Sequence, residues 1–329
     1  MKTPVVGSLA VLVLAGAAFL GWKASKTVPL DPAHPERRDE IGSVEGMVRL
    51  PGGRFTMGAD DGFPHEGPAH PVEVAAFWLD VEEVTNDQFA AFVAVTGYRT
   101  EAERFGWSAV FKPGEGWDRV DGADWRHPEG PSSDLAGRGR EPVVQVSWGD
   151  AVAFAGWAGK RLPTEAEFEY ALRDGGRGVG VYPWGGELVP GKTHRANLWQ
   201  GPFPAEDRAD DGARRAAAVG SFAPGPFGLL DLSGNVWEWC ADWYDPGYYR
   251  HGPVANPRGP STGPTIRPGE GPHRVLRGGS FLCSENYCTG YRTSARSSCT
   301  PDSATNHMGF RCARPDYANS GPGRTSPSP

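Results

Sequence analysis

Two cysteines pose the chemical question. Cys283 and Cys288 stand with four residues between them, inside a stretch from Arg274 to Arg314 that is dense in Gly, Ser, Arg and Cys. Five steps along a helix turn a side chain about 140° past a full turn, which carries the thiols apart. Five steps along a strand put them on opposite faces. The thiols meet only if Ser284-Glu285-Asn286-Tyr287 bends back, and Asn286 tolerates the turn conformations this needs. A converged pair then has three readings. One is a structural disulfide in a chain outside the cytosol. The second is a redox dithiol, although motifs of that kind use the tighter C-x-x-C. The third is a soft-metal site: with no third Cys/His motif nearby the pair does not build a four-ligand zinc cage, but it suits Cu(I), which accepts two soft sulfurs and leaves room for a third.

Around the pair, Gly278-Gly279-Ser280-Phe281-Leu282-Cys283, Tyr287-Cys288, Tyr291-Arg292, Ala295-Arg296-Ser297, Thr300-Pro301-Asp302-Ser303 and Gly309-Phe310-Arg311-Cys312 resemble the C-terminal signature of formylglycine-generating enzymes, also called sulfatase-modifying factors. Many relatives keep the GGSF…R…GFR frame but lack the cysteine pair. The run RLPTEAEFEY from Arg161 to Tyr170 and Glu83-Val84-Thr85-Asn86 match further signatures of the same family, so the resemblance spans about residues 46 to 314. It implies one mixed α/β (α+β) domain related to the C-type lectin fold and poor in regular secondary structure. It also implies an activity: O2-dependent oxidation of the cysteine in a Cys-x-Pro-x-Arg segment of an unfolded or nascent sulfatase to Cα-formylglycine. Cys283 and Cys288 would hold Cu(I), and the substrate thiolate would add a third sulfur. Ser280 and Arg296 would belong to the active-site shell, with Tyr287 close by and Trp237 beside the pair, excluding water. His307 and Ala304 fall along the implied peptide groove, where some relatives carry Asn and Ser.

A second kind of metal comes into view at Asp231-Leu232-Ser233-Gly234-Asn235-Val236-Trp237-Glu238. Two carboxylates seven apart flank a glycine turn that lets main-chain carbonyls point inward, as the oxygen-rich shell of calcium requires. Acidic loop residues are more often simply solvated. The resemblance assigns one structural Ca2+ to Asp231, Gly234, Val236 and Glu238, the middle two through their carbonyls. It assigns another to Asn197, Leu198, Asp211 and Ala213, with Leu198 and Ala213 through their carbonyls; relatives usually carry an aromatic residue at the last position.

The elements that must carry these residues are marked by their ends. Thr85-Asn86-Asp87-Gln88 is a capping box, with Phe89, Phe92 and Val93 on one face and Gly97 as a stop. Ser147-Trp148-Gly149-Asp150 opens a second helix over residues 150–156. Pro163-Thr164-Glu165-Ala166-Glu167 opens a third that ends at Gly175. Val48, Leu50, Phe55 and Met57 around Pro51-Gly52-Gly53 predict a hairpin, and residues 72–80 a further strand. Trp237 and Trp239 alternate on a strand-like segment and so face opposite ways. Residues 107–139 carry few helix or strand signals and read as a long ordered loop.

Bulk properties bound the rest. The 329 residues, 39% hydrophobic, suffice for one large core or two modest ones. A net charge of −7 argues against a nucleic-acid partner. With the pair set aside, Cys240, Cys299 and Cys312 allow at most one further disulfide, so this is no disulfide scaffold. Residues 1–26 read as a signal peptide or N-terminal anchor: the apolar run over residues 5–22 is borderline for spanning a bilayer and long for a cleaved signal. It places the remainder outside the cytoplasm, with membrane attachment through residues 5–22 as one outcome. Residues 27–45 form a Pro-rich linker, 46–315 the catalytic domain, expected as a monomer, and 316–329 a disordered tail. The competing class is a non-catalytic extracytoplasmic binding or assembly module of the same fold, with Cys283–Cys288 as a structural disulfide. An iron-dependent sulfoxide synthase of related fold would need an added helical domain with a histidine cluster, which the sequence lacks.

Overall fold

The computed structural model describes residues 43–178, 180–266 and 269–316. The apolar N-terminal segment, most of the Pro-rich linker and the tail beyond Asp316 lie outside these residues. Among the described residues no helix is long and apolar enough to cross a membrane.

In chain order the first half contains β1 (Ser43–Val44), β2 (Met47–Leu50), β3 (Gly53–Met57), β4 (His70–Val74), β5 (Phe77–Asp80), α1 (Asn86–Thr96), α2 (Glu101–Phe105), β6 (Trp107–Lys112) and β7 (Gly116–Asp121). There follow α3 (Trp148–Trp157), α4 (Glu165–Leu172), β8 (Trp237–Trp243), β9 (Arg274–Arg277), β10 (Ser297–Cys299), β11 (Met308–Gly309) and β12 (Ala313–Pro315). One antiparallel sheet runs β1-β2-β5-β12 and ties the two ends of the described chain together. A second runs β10-β9-β8-β11, with β11 parallel to β8. Two hairpins, β3–β4 and β6–β7, complete the strands.

The three expected helix starts are all made. Thr85, Ser147 and Thr164 each accept the N3 amide and each N3 side chain returns to the cap. Gly97 ends α1 in the left-handed conformation (φ 66°). The second helix is longer than residues 150–156, and the third stops at Leu172, two residues before a short 3-10 turn over Asp174–Gly176. Three strand expectations are corrected. Pro51-Gly52-Gly53 is no hairpin: β2 pairs with β5, and β3 with β4. A Cβ on Gly52 would lie 2.5–2.6 Å from the backbone of residues 74–76. The turn therefore packs on the kink that splits residues 72–80 into β4 and β5, and hands the chain from one sheet to the other. Residues 107–139 are not all loop, since β6 and β7 pair over six registered positions. Asp316, expected in the disordered tail, bonds Arg49 at 2.7 Å.

Burial of α4 has an ionic consequence. Every residue from Glu165 to Leu172 is buried, so its carboxylates need partners inside the protein. Arg277, at the end of β9, reaches Glu169 at 2.8 Å and Glu165 at 3.4 Å. Arg296 closes a two-pronged pair on Glu165 at 2.7 and 2.6 Å. This cluster fixes both ends of the segment that carries the cysteines.

Candidate active site

The chain leaves β9 through Gly278 and Gly279, both at positive φ (89° and 77°). A Cβ on Gly279 would meet the Tyr291 amide at 2.7 Å and the Gly290 carbonyl carbon at 2.8 Å. A Cβ on Gly290 would run into the indole of Trp237 at 2.4 Å. Two glycines thus let the incoming and outgoing legs of the cysteine loop touch, with the Trp237 ring against the junction. Between them Ser284 and Cys288 form an antiparallel bridge. The bend expected at residues 284–287 is present: Cys283 and Cys288 have Cα atoms 4.9 Å apart and their sulfurs are bonded.

The two cysteines are held differently. Cys283 is fully buried with Trp237, Trp239, Leu276 and Tyr291 in its core cluster. The Ser280 N–H donates to its sulfur at 3.4 Å, and its carbonyl accepts from the Trp199 amide at 3.0 Å. Cys288 is half-buried at the edge of the same cluster. The tip of the loop is open, with Tyr287 exposed. Tyr287 stacks on Phe203 at 3.8 Å, and the stack continues through Phe111 (5.0 Å) and Trp117 (5.5 Å) to His307 (4.8 Å). This aromatic ladder joins the cysteine loop to the β6–β7 hairpin, and no local sequence signal announced it. His307 is half-buried rather than an ordinary surface histidine. Loss of solvent pushes its pKa down to about 3, and its Nδ1 lies 2.6 Å from the Thr305 hydroxyl. The Ala304 carbonyl accepts from Ser108 at 2.8 Å. Beside Cys283 a cleft of about 740 Å³ opens between residues 283–286 and residues 188–210, with Tyr291, Trp199, Lys192 and Arg208 among its lining.

The sequence matches the family described as the sulfatase-modifying factor enzyme 1-like domain over residues 32–315. The chain belongs to this family. Formylglycine-generating enzyme of Streptomyces coelicolor is 48% identical over 312 residues, covering 89% of this chain and 96% of that protein. Inactive C-alpha-formylglycine-generating enzyme 2 of mouse is 42% identical over 287 residues, covering 81% and 85%. Among solved structures, PvdO from Pseudomonas aeruginosa superposes with a TM-score of 0.61 at 28% identity, covering 82% of this chain and 93% of that one. The mixed α/β, formylglycine-generating-enzyme and C-type-lectin-like fold inferred from the motifs is the fold observed.

Within this family frame the remaining expected residues divide. Ser280 and Trp237 stand at the pair. The Arg296 guanidinium is bound by Glu165 and by the carbonyls of His65 and Asp245, over the rings of Tyr244 and Tyr249. Trp239, expected to face away from Trp237, is instead buried in the same cluster, because residues two apart on a strand share a face, and it donates to the Val146 carbonyl at 3.1 Å.

Among the described residues no group of three or more His, Cys, Asp or Glu side chains could hold a metal ion, so any cation site must draw on carbonyls or amides. The Asn197 set fits that demand. The Gln200 side-chain nitrogen donates at once to the Leu198 carbonyl and to Asp211 Oδ2, so two of the expected ligand oxygens already converge on one neutral NH2 donor. Asn197 Oδ1 is buried without a partner. Ala213 donates its amide to Asp211 Oδ1 at 2.9 Å. The Asp231 set fits less well. Glu238 gives both oxygens to Arg311 at 2.7 Å in a fully buried pair. Asp231 accepts from the Gly220 amide at 2.6 Å, and burial pushes its pKa up to about 6. Gly234 packs on the Asn197 carbonyl. Val236 is buried in a cluster with Phe281 and Leu282. Cys240, Cys299 and Cys312 are all free thiols; burial raises each of their pKa values and keeps them protonated and inert.

Proposed function

We propose that this protein converts a cysteine of a sulfatase polypeptide to Cα-formylglycine, acting on a Cys-x-Pro-x-Arg segment outside the cytoplasm. The observation that carries the proposal is the convergence of Cys283 and Cys288 beside a cleft that Cys283 lines, within a chain 48% identical to a formylglycine-generating enzyme. The reduced pair is the group that would hold Cu(I), which when bound supplies a soft site for sulfur and electron transfer to O2. The protein's own residues do the rest. The Ser280 N–H stabilises negative charge on the Cys283 sulfur. Trp237 and Tyr291 keep the inner side of the pair dry, which confines oxidation to the intended C–H bond. The Tyr287–Phe203 stack forms one wall beside the half-exposed Cys288 and orients the incoming chain. Asn197, Asp211 and the carbonyls of Leu198 and Ala213 would hold a structural Ca2+ that fastens the cleft's loop.

The second reading, a non-catalytic module with a structural disulfide, is favoured by the bonded sulfurs and by the inactive mouse relative. A disulfide that closes so short a loop gains only about 2 kcal/mol from chain entropy, a weak structural motive for keeping it. The experiment is incubation of the purified protein with Cu(I), O2, a reductant and a Cys-x-Pro-x-Arg peptide, with the aldehyde captured by an oxime-forming probe. Aldehyde formation is expected. No aldehyde, together with a pair that stays oxidised under mild reductant, favours the module.

A further inference from the structure

Cys283 is anchored by the core on its own account, but nothing comparable holds Cys288. Its position depends on the leg that follows it, residues 289–296. That leg is gripped by a strap 226 residues away in sequence. In the short turn Pro64–Glu66, Glu66 is fully buried. Its Oε1 accepts from Arg292 Nη2 and its Oε2 from the Ser294 hydroxyl at 2.8 Å. Arg292 in turn donates through Nε to the Thr289 hydroxyl at 3.0 Å, and Thr289 is the residue after Cys288. Phe63 lies under the Arg292 guanidinium at 5.3 Å, and the His65 carbonyl accepts from Arg296. The strap is itself fixed: the Ala59 amide donates to the Glu66 carbonyl at 3.0 Å, and Gly62 leaves no room for a Cβ beside the Glu66 carboxylate. A continuous path of charged and polar bonds therefore runs Glu66–Arg292–Thr289 to the cysteine that the core leaves loose.

We infer that Glu66 is a positioning residue for Cys288, and that through Arg292 and Thr289 it sets how closely the second sulfur is presented to the first. The inference rests on the pair being functional. Residues outside the ligand set orient metal-binding and redox groups through chains of hydrogen bonds of this kind. Loosening Cys288 lowers its effective concentration at Cys283, so both a disulfide and a shared soft metal are held less tightly.

The test uses the purified protein and Glu66→Gln, which keeps the shape and removes the charge. Two quantities are read: the equilibrium of the Cys283–Cys288 disulfide in dithiothreitol buffers, where two electrons and two protons pass to the protein as the reagent closes to its ring disulfide, and the Cu(I) affinity by competition with a chromophoric chelator. Both are expected to fall about tenfold. Thr289→Val leaves the Glu66–Arg292 pair intact and is expected to give a fall of the same direction with the thermal midpoint unchanged, so it decides the matter if Glu66→Gln folds poorly. Values within twofold of wild type for Thr289→Val overturn the inference. If the wild-type protein itself binds no Cu(I), the proposed oxidase activity fails, while the disulfide equilibrium still tests the positioning role.

Discussion

The segment from β9 to β10 holds two regions built on opposite terms. At its ends Arg277 and Arg296 are buried and ion-paired, each locked to the carboxylates of α4. At its middle the cysteine loop stands with Tyr287 exposed, Cys288 half-buried and a cleft at its side. Charge and burial alone would have nominated the first region as the reactive one. It is the less able of the two, because its charges are paired within the protein and both arginines are buried. The cysteine loop has few bonds of its own and keeps capacity for a ligand. A buried network whose charges are paired inside the protein is suited to holding the fold, and a half-open loop beside a cleft is suited to meeting a ligand.

Breaking the first region should cost stability, and breaking the second should cost activity. The largest effect is expected for Arg277→Met, which removes the fully buried cation shared by Glu169 and Glu165 and leaves Glu169 Oε2 without its charged partner. Removing one partner of a buried pair costs about 3–5 kcal/mol, so urea denaturation should show a large drop in midpoint and activity should vanish with the fold. Next comes Asp242, whose carboxylate accepts the Glu165 amide at 2.8 Å. Burial, then the neighbouring Glu165, pushes its pKa up to about 8. The folded form binds the proton more tightly than the unfolded chain, so stability falls as pH rises from about 4 to about 8. Asp242→Asn should flatten this decline, gaining on the order of a few kcal/mol over wild type at pH 8 relative to pH 5, measured by denaturation at the two values. Removal of calcium with EGTA should lower the thermal midpoint by on the order of a few degrees, and Asp211→Asn should abolish that sensitivity. The smallest change in stability is expected for Tyr287→Ala. An exposed ring contributes within about 0.5 kcal/mol, yet KM for the peptide should rise several-fold with kcat little changed.

Much of the scaffold could be read from the chain because its signals are local. A capping box needs four residues, and those at Thr85, Ser147 and Thr164 were all legible. The same pattern at Thr100-Glu101-Ala102-Glu103 was there to be seen and starts α2. The bend between Cys283 and Cys288 followed from spacing, since only a turn lets thiols five apart converge. What could not be read was long-range. Arg296 was placed in the active-site shell by the resemblance, but nothing local shows that its carboxylate partner is Glu165, 131 residues away. Nor does the sequence around Glu238 show that Arg311 pairs with it. Phe203 and Glu66 carry no motif at all and acquire meaning only when the fold sets them against Tyr287 and Arg292.

The central claim is that the two sulfurs together do the chemistry. It is tested most directly by aldehyde formation on a Cys-x-Pro-x-Arg peptide with Cu(I) and O2, comparing the wild-type protein with Cys283→Ala and Cys288→Ala. The account predicts that each single substitution abolishes the aldehyde while the thermal midpoint stays within a few degrees of wild type. Turnover that persists in either variant contradicts it.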